Sequence, residues 1–302
     1  MKWLLAGASG FLGTALRVRL ATEGHEVVRL VRREPATATE FRWDPDAGQI
    51  DRSAFDGVDV VVNLAGTGVF DKLWTTRNRE QILSSRVNTT GTLARTLIDL
   101  AGTGSAPALI QASGVAHYGT ARTEQPHTED SPAANDFLAQ VTVVGWERPT
   151  EAAAAAGVRV VLIRTSPVLD HSGGPFPVMK LAWSLGAGAK LGDGRQRMPM
   201  ISLEDYLGIV QWAAATPSAS GPYNATIPQP ATNAEFTEAL ARAVRRPCFL
   251  RAPGSVLRRV LGEQAEQLLG DMYIVPQRLT EQGFRFRDPD VNSTVATALA
   301  KD

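Results

Sequence analysis

Several residue patterns that mark particular classes of protein are scarce or absent in this sequence. Its one cysteine, Cys248, excludes an internal disulfide framework and is predicted to be a buried, inert thiol in a reducing compartment. The 31 basic residues balance the 31 acidic ones, so charge favours neither nucleic acid nor an anionic membrane as a partner. No stretch approaches the ~20 apolar residues of a membrane helix. We therefore predict a cytoplasmic protein.

The sequence also lacks the residue patterns of a metal site and of a hydrolase nucleophile. The four histidines are scattered without the spacing of a metal site, so no metal is predicted. Ser113 and His117 lie close in sequence, but the surrounding QASGV is not the G-x-S-x-G turn of a hydrolase.

The first thirteen residues carry the clearest pattern. Lys2–Ala6 is a short apolar run that predicts a buried strand, and Phe11–Leu20 has the spacing of a helix. Glycines at the turn between them allow a tight bend and close approach of a dinucleotide pyrophosphate. The spacing is G-x-x-G-x-x-G, so an ordinary glycine turn is the alternative. The predicted cofactor contacts here are Gly7, Ser9, Gly10, Phe11, Leu12 and Gly13.

The next strand indicates which dinucleotide is bound. His25–Val31 is followed by Arg32 and Arg33, where proteins that prefer NAD place an acidic residue. Guanidinium groups suit the extra 2′-phosphate of NADP, whereas two solvated arginines are the alternative. After a third strand at Glu40–Trp43, Asp44 is predicted either to accept from the adenine amino group or to start a turn.

Three more apolar runs predict parallel strands buried on both faces, at Val58–Leu64, Pro107–Ser113 and Val158–Ile163. Helical segments at Asn78–Ala101 and Asn135–Ala156 separate them, and Pro149 is expected to kink or divide the second. The fold class is therefore α/β, with a Rossmann-type doubly wound parallel sheet. The further cofactor contacts predicted along the carboxyl edge are Leu64, Ala65, Gly66 and Arg164.

Beyond residue 170 the alternation of predicted strands and helices becomes irregular. This part of the chain is predicted to form a smaller, mostly helical substrate domain. Leu185–Gly194 is predicted to be a loop, and Met200–Val210 a strand followed by a helix capped near Ser202. Helices are predicted at 235–244, at 255–270 and after Pro289. We assign residues 1–170 to the nucleotide-binding domain, with 198–226 returning to it, and residues 171–197 and 227–302 to the substrate domain.

Several motifs in order carry a family resemblance. They are NLAG at 63–66, VNTTGT at 87–92, ASG at 112–114 and, more specifically, DKLWTTRNREQILSSRV at 71–87, GDGRQRMPMISLEDY at 192–206 and GEQAEQLLGDMYIVPQRLTEQGFRFRDPDV at 262–291. Across essentially its whole length the chain resembles an extended short-chain dehydrogenase/reductase of the NAD-dependent epimerase/dehydratase, or nucleoside-diphosphate-sugar epimerase-like, family.

The resemblance implies bound NADP(H) in a Rossmann domain, with the smaller domain covering the active-site cleft. It places the nicotinamide near Ser113 and the 164–169 segment, and it matches Ser113 to the catalytic serine and Asn88 to the asparagine of the helix motif. The loop carrying Lys190, Arg195 and Arg197 matches one that contacts the nucleotide diphosphate of sugar-nucleotide substrates. A solvated loop is the alternative.

The superfamily's Tyr-x-x-x-Lys pair is absent. Its lysine lowers the pKa of the tyrosine, so that the phenol exchanges a proton with the substrate. Residues 136–156 contain neither Tyr nor Lys, and the expected positions fall near Ala139 and Val143. Tyr118 and Arg122 have the spacing but lie in the loop after Ser113. Tyr118 is therefore predicted either as the proton donor or as packing beside the nicotinamide.

Three functions fit these observations. The first is an NADP(H)-dependent oxidoreductase or epimerase-like enzyme for a small polar substrate, with sugar nucleotides among the candidates and Ser113 polarising the reacting oxygen. The second is a non-catalytic NADP(H) sensor or partner-binding protein, which the missing pair favours. The third is a redox-neutral isomerase that keeps its cofactor. Long helices such as Asn78–Ala101 are predicted faces of a homodimer.

Overall fold

The computed structural model describes residues 1–104 and 106–300 of the chain. Its strands are β1 Lys2–Ala6, β2 Glu26–Val31, β3 Glu40–Asp44, β4 Gln49–Ile50, β5 Val60–Asn63, β6 Ala108–Gly114, β7 Val160–Thr165, β8 Val168–Leu169, β9 Ala189–Leu191, β10 Arg197–Met198, β11 Ile201–Ser202, β12 Gly221–Ala225, β13 Ala231–Thr232 and β14 Leu250–Ala252.

The α-helices are α1 Phe11–Thr22, α2 Thr76–Ala101, α3 Phe137–Gln140, α4 Arg148–Ala155, α5 Phe176–Ser184, α6 Leu203–Ala215, α7 Asn233–Ala243, α8 Gly254–Leu261, α9 Glu266–Leu269, α10 Gln277–Glu281 and α11 Val291–Leu299. Short 3₁₀ segments cover Arg52–Phe55, Val115–Tyr118 and Gly262–Ala265, and a π-helical segment covers Val141–Glu147.

An eight-stranded sheet has the order β12-β7-β6-β5-β1-β2-β3-β4. The strands from β6 through β5, β1 and β2 to β3 pair in parallel, and the short β4 pairs antiparallel with β3. Strand β1 pairs with β2 on one side and with β5 on the other, so the order of the strands reverses at β1. The glycine turn follows this strand. The predicted Rossmann-type α/β fold is confirmed.

Apolar runs form the core of this sheet, as their composition predicts. Leu4 of β1, Val61 of β5 and Leu109 of β6 are fully buried, and they pack in one cluster with Leu93 and Leu97 of α2. Parallel strands are covered on both faces, so nearly every side chain of β5 is apolar rather than every second one.

The described chain divides into two compact units, each built from several segments. The first comprises 1–113, 136–163 and 210–222, and the second comprises 114–135, 164–209 and 223–302. These bounds differ from our domain assignment mainly because 114–135 and 198–209 fall in the second unit. That unit has its own apolar core around Phe176, Met200 and Phe236.

Two segments differ locally from the sequence predictions. The stretch 185–194 is not only a loop, because it contains β9, which pairs in parallel with β14 about sixty residues later. The predicted 135–156 helix is three pieces, α3, the π-helical segment and α4. Pro149 explains the division: it has no N–H for the carbonyl four residues earlier, and the Arg148 N–H reaches back five residues to Val143.

Candidate functional site

The glycine turn of the first unit leaves no room for side chains. Gly7 has φ +80°, and a Cβ there would lie 2.7 Å from the carbonyl carbon of Leu64. A Cβ on Gly13 would overlap the carbonyl oxygen of Gly7. Gly10 precedes α1 without a side-chain cap, so the first N–H groups of the helix have no capping side chain. This backbone cradle fits a dinucleotide pyrophosphate.

The other predicted contacts of the turn lie beside this cradle. Ser9 and Gly10 are exposed, whereas Phe11 and Leu12 are half-buried at the start of α1. Across from them, the buried Asn63 amide donates to Gln111 and its oxygen accepts from the Ala65 N–H. These bonds hold the carboxyl end of β5, where Leu64 is half-buried and Gly66 exposed.

The two arginines after β2 have different surroundings. The Arg33 guanidinium binds both carboxylate oxygens of Glu40, at 2.8 and 2.6 Å, and Arg29 adds a third contact at 2.8 Å. The hydrogen bond from Arg33, followed by the one from the Ala36 N–H, lowers the pKa of Glu40 to about 2. Arg33 is therefore a partner of Glu40 in this structure.

Arg32, in contrast, is exposed and makes no side-chain hydrogen bond or ion pair within residues 1–104 and 106–300. It lines a cleft of about 100 Å³ whose other walls come from α2 and from the segments that follow β3 and β5. The remaining lining residues are Pro45, Asp46, Thr67, Gln81, Ser84, Ser85 and Thr89.

Asp44 and Asn88 both contact the turn after β3. The Oδ1 atom of Asp44 accepts from the N–H groups of Asp46 and Ala47, at 3.1 and 3.2 Å. Asp44 therefore starts the turn, one of its two predicted roles. Asn88 donates its amide to Asp46 at 2.8 Å, and so connects α2 to the same turn.

Ser113 has a buried acidic partner that the sequence did not reveal. Its Oγ donates to Oε1 of Glu147 at 2.7 Å, and the two residues are only 3% and 9% exposed. Glu147 is the last residue of the π-helical segment. Of the positions expected for the missing pair, Ala139 is buried and Val143 half-buried. The acid lies thirty-four residues from the serine, so no local motif marks it.

Tyr118 is the centre of a polar cluster in the second unit. Its phenol donates to Oδ1 of Asn224 at 2.7 Å and accepts from Nη1 of Arg164 at 2.8 Å. Arg164 also donates to the Glu129 carbonyl, and the Tyr118 ring stacks on His127. Burial raises the pKa of Tyr118 to about 12, although Arg164 acts in the opposite direction. At neutral pH the phenol is protonated.

The three predicted substrate residues have different surroundings. Arg197 donates to both carboxylate oxygens of Asp271, packs on the ring of Tyr273, and donates to the Thr123 carbonyl. Lys190 lines an open groove of about 470 Å³ with arginines from the end of α7. Arg195 lies in the turn between β9 and β10, where its N–H donates to Asp193.

Residues 1–104 and 106–300 contain neither a metal centre nor a membrane-spanning helix. In the part of the chain that the structure describes, no three His, Cys, Asp or Glu side chains are grouped to hold a metal ion. None of the helices described is both long and apolar enough to cross a bilayer. Cys248 is half-buried, and its thiol lies 3.0 Å from the Gly188 carbonyl.

Comparison with known proteins finds relatives along the whole chain. An epimerase family protein of Mycobacterium bovis is 40% identical over 298 residues, covering 98% of this chain and 97% of the relative. The crystal structure of the human epimerase family protein SDR39U1 with NADPH has a TM-score of 0.85 at 30% identity, and 99% of each chain is covered. A nucleoside-diphosphate sugar epimerase structure from Corynebacterium glutamicum has a TM-score of 0.80 at 33% identity, covering 99% of this chain and 58% of that one.

Family models agree with these matches. Residues 252–298 match a domain of unknown function, DUF1731. Residues 3–226 match the NAD-dependent epimerase/dehydratase family, and the chain belongs to that family.

Proposed function

We propose that this protein binds NADP(H) and transfers hydride to or from a small polar substrate. The observation that carries the proposal is the glycine cradle, in which Gly7 and Gly13 have no space for a Cβ. The human relative whose structure holds NADPH supports the choice of cofactor. When bound, the cofactor supplies or accepts the hydride.

Arg32, rather than Arg33, is our proposed ligand of the 2′-phosphate. Arg33 already donates to both oxygens of Glu40, so a phosphate would have to compete with a carboxylate of depressed pKa. Arg32 has no such partner and lines the cleft beside α2. A guanidinium presents several N–H donors in a fixed plane, which suits a phosphate oxygen pair.

Ser113 and Glu147 are our proposed route for the proton. In carbonyl reduction Glu147 starts protonated. Ser113 Oγ gives its proton to the substrate oxygen, Glu147 gives its own proton to Ser113, and the resulting Glu147 carboxylate takes a proton from solvent. Each turnover then consumes one hydride and one proton from solvent. In alcohol oxidation the same bonds break and form in reverse, and Glu147 receives the proton. Tyr118 is a poorer candidate, because its buried phenol oxygen already has two hydrogen-bond partners, Asn224 and Arg164.

The substrate remains a proposal at the level of chemical class. Arg197 is fully engaged with Asp271, which argues against its use for a substrate diphosphate. Lys190 stays available in its groove, where a substrate phosphate or carboxylate would meet positive charge. A homodimer and a cytoplasmic location also stay predictions.

A second candidate function is an NADP(H) sensor that does not turn over. The observation that favours it is Tyr118, whose phenol is buried and held by two hydrogen bonds, as in a structural network. Binding would then order the first unit for a partner, without chemistry.

The first test measures the binding of NADPH and of NADH through quenching of the fluorescence of the six tryptophans. We expect tighter NADPH binding that Arg32→Ala weakens, while Arg95→Ala, an exposed arginine on α2, leaves it unchanged. If neither dinucleotide binds, both functions are wrong. NADH binding as tight as that of NADPH would contradict the role of Arg32.

Turnover then separates the enzyme from the sensor. We expect NADPH oxidation with some member of a carbonyl panel, lost in Ser113→Ala and in Glu147→Gln. Ser53→Ala, which removes an exposed hydroxyl of the same unit, is the control. NADPH binding without turnover across the panel would favour the sensor. Full activity in Glu147→Gln would exclude the proposed proton route.

A further inference from the structure

Two segments of the second unit contain basic residues and no acidic ones. Residues 171–192 carry Lys180 and Lys190. Residues 239–262 carry six arginines, which are Arg242, Arg245, Arg246, Arg251, Arg258 and Arg259. Neither segment contains Asp or Glu, although the whole chain has 31 of them. The balanced totals of the chain therefore conceal a local excess of positive charge, and we call these two segments together the basic region.

Strand pairing brings the two segments of the basic region together. Strand β9 pairs in parallel with β14, and Ala189 lies opposite Leu250. Next to this pair, the Cys248 thiol lies 3.0 Å from the Gly188 carbonyl. The two segments therefore form one part of the second unit, and all their charges have the same sign.

The arginines of the basic region are exposed, and most of their charge is not compensated. Arg258 pairs with Glu266 at 2.7 Å, and Arg242 donates to Asn292, which is neutral. Within residues 1–104 and 106–300 no ion pair is made by the other four, which are Arg245, Arg246, Arg251 and Arg259. A cluster of exposed, unpaired cations attracts an anionic partner.

Large apolar side chains are exposed in the same region. Phe249 is 86% exposed, the highest value among the large apolar side chains that the structure describes, and the adjacent Leu250 is exposed as well. On α5, Val178, Leu181 and Leu185 are exposed at the spacing of one helix face. Exposed apolar groups that are concentrated in one part of a protein mark a site of interaction.

Helix α8 combines both properties. Val256, Leu257, Val260 and Leu261 share one face of this helix, because of the helical repeat. The two leucines are half-buried and the two valines are exposed, so the apolar face is only partly covered. Arg259 is exposed and lies one turn from Val256 on the helix surface. A surface helix with basic residues beside uncovered apolar ones is typical of helices that lie in a lipid interface.

We propose that the basic region binds the surface of a membrane that contains anionic lipids. Its guanidinium groups donate to phosphate oxygens of the lipid head groups, and Phe249, Val256 and Val260 enter the boundary between head groups and acyl chains. The protein is then a peripheral one, bound by charge and by apolar contact together. This inference goes beyond the proposed function and does not depend on it, because no residue of the glycine cradle takes part.

Two other partners fit the basic region less well. In a symmetric dimer, a second copy of the chain would place the same lysines and arginines opposite each other, where they repel. A nucleic acid would neutralise the arginines but would leave Phe249 and the valines of α8 in water. An anionic lipid surface provides both the negative charge and an apolar layer.

The test is sedimentation of the full-length protein with two kinds of vesicle. One is made of phosphatidylcholine, and the other of an equal mixture of phosphatidylcholine and phosphatidylserine. Two double variants separate the contributions of charge and apolar contact. Arg251→Gln/Arg259→Gln removes two exposed charges, and Phe249→Ser/Val260→Ser removes two exposed apolar side chains.

Matched controls come from the first unit. Arg95→Gln removes an exposed arginine of α2, and Val18→Ser removes an exposed valine of α1. The thermal midpoint of every variant is measured without vesicles, and it should equal that of the wild type because each altered side chain is exposed.

We expect the wild type to sediment with the mixed vesicles and not with phosphatidylcholine alone, and its binding to weaken as the salt concentration rises. An arginine near an anionic surface contributes about fivefold in affinity, so the arginine variant should bind about ten- to thirtyfold more weakly. The apolar variant should bind about tenfold more weakly or less well still, and should keep the salt dependence. Both controls should bind as the wild type does.

Failure of the wild type to sediment with the mixed vesicles at low salt would overturn the inference. Equal binding to phosphatidylcholine would do the same, and so would wild-type affinity in both double variants or an equal loss in the controls. If one double variant does not fold, the other decides by the same comparison.

The competing partners have their own signatures. A dimer seen by light scattering and lost in Phe249→Ser/Val260→Ser, without vesicle binding, would identify a second copy as the partner and overturn the inference. Retention of the protein on duplex DNA, again without vesicle binding, would identify a nucleic acid and also overturn it. Failure to bind NADPH would refute the proposed function alone, since the vesicle assay contains no cofactor.

Discussion

Replacing Tyr118 by phenylalanine removes one oxygen atom from the polar cluster of the second unit. The ring, its contacts with Val115, Met272 and Ile274, and its packing against His127 all remain. What is lost is the acceptor of Arg164 and the donor to Asn224. The variant therefore isolates the contribution of the phenol oxygen to stability.

The size of the effect follows from what the two partners keep. Arg164 still donates through Nη1 to the Glu129 carbonyl at 3.0 Å, whereas Oδ1 of the fully buried Asn224 loses its Tyr118 donor. A buried acceptor left unsatisfied costs about 1–3 kcal/mol, and a lost hydrogen bond to a charged group is worth about as much. We expect the free energy of unfolding to fall by about 2–4 kcal/mol.

Urea unfolding followed by tryptophan fluorescence measures this change. Tyr273→Phe is the matched control, since that tyrosine offers its ring to Arg197 and its hydroxyl makes no hydrogen bond within residues 1–104 and 106–300. It should change stability by no more than about 0.5 kcal/mol. A loss below about 1 kcal/mol in Tyr118→Phe would refute the structural account. Lost turnover at unchanged stability would instead identify the phenol as the proton donor.

Two further predictions concern the first unit. Gly7→Ala should destabilise the protein by clearly more than Gly24→Ala and abolish NADPH binding, because both glycines have φ near +80° but only Gly7 would bring a Cβ to 2.7 Å from backbone; equal unfolding energies for the two variants would contradict the close-approach argument. Glu40→Gln should lose stability at neutral pH but little near pH 2. The pKa of Glu40 falls from 4.5 to about 2 on folding, so its contribution is complete above pH 4.5 and disappears as the pH falls through 2. Wild type and variant with parallel stability profiles in acid would show that the pair with Arg33 does not matter.

The sequence predicted the sheet and the turn well, because their signals are local. An apolar run followed by glycines and a helix needs no knowledge of distant residues, and β1, β5 and β6 appear within two residues of their predicted bounds. The capping of α6 by Ser202 was also predicted from a local signal. In the structure, its hydroxyl accepts from the N–H of Asp205 three residues later.

The polar side-chain pairs could not be predicted from the sequence, because only the fold brings their members together. Nothing in the sequence around Arg33 distinguishes it from Arg32, yet strand pairing of β2 with β3 gives only Arg33 a buried carboxylate. Glu147 could not be predicted either, since its partner Ser113 lies on another element, thirty-four residues away. Strand β9 was not predicted for the same reason, because its three residues form a strand only by pairing with the distant β14.

The division of the chain into interleaved segments has a consequence for its synthesis. The first unit needs residues 210–222, and the last strand of the large sheet, β12, ends at Ala225. A ribosome must therefore translate about three-quarters of the message before the sheet can close, and the apolar edge of β7 waits until then. Cutting the gene anywhere before the codon of residue 222 leaves the N-terminal fragment without part of the first unit, so that fragment is not expected to fold alone.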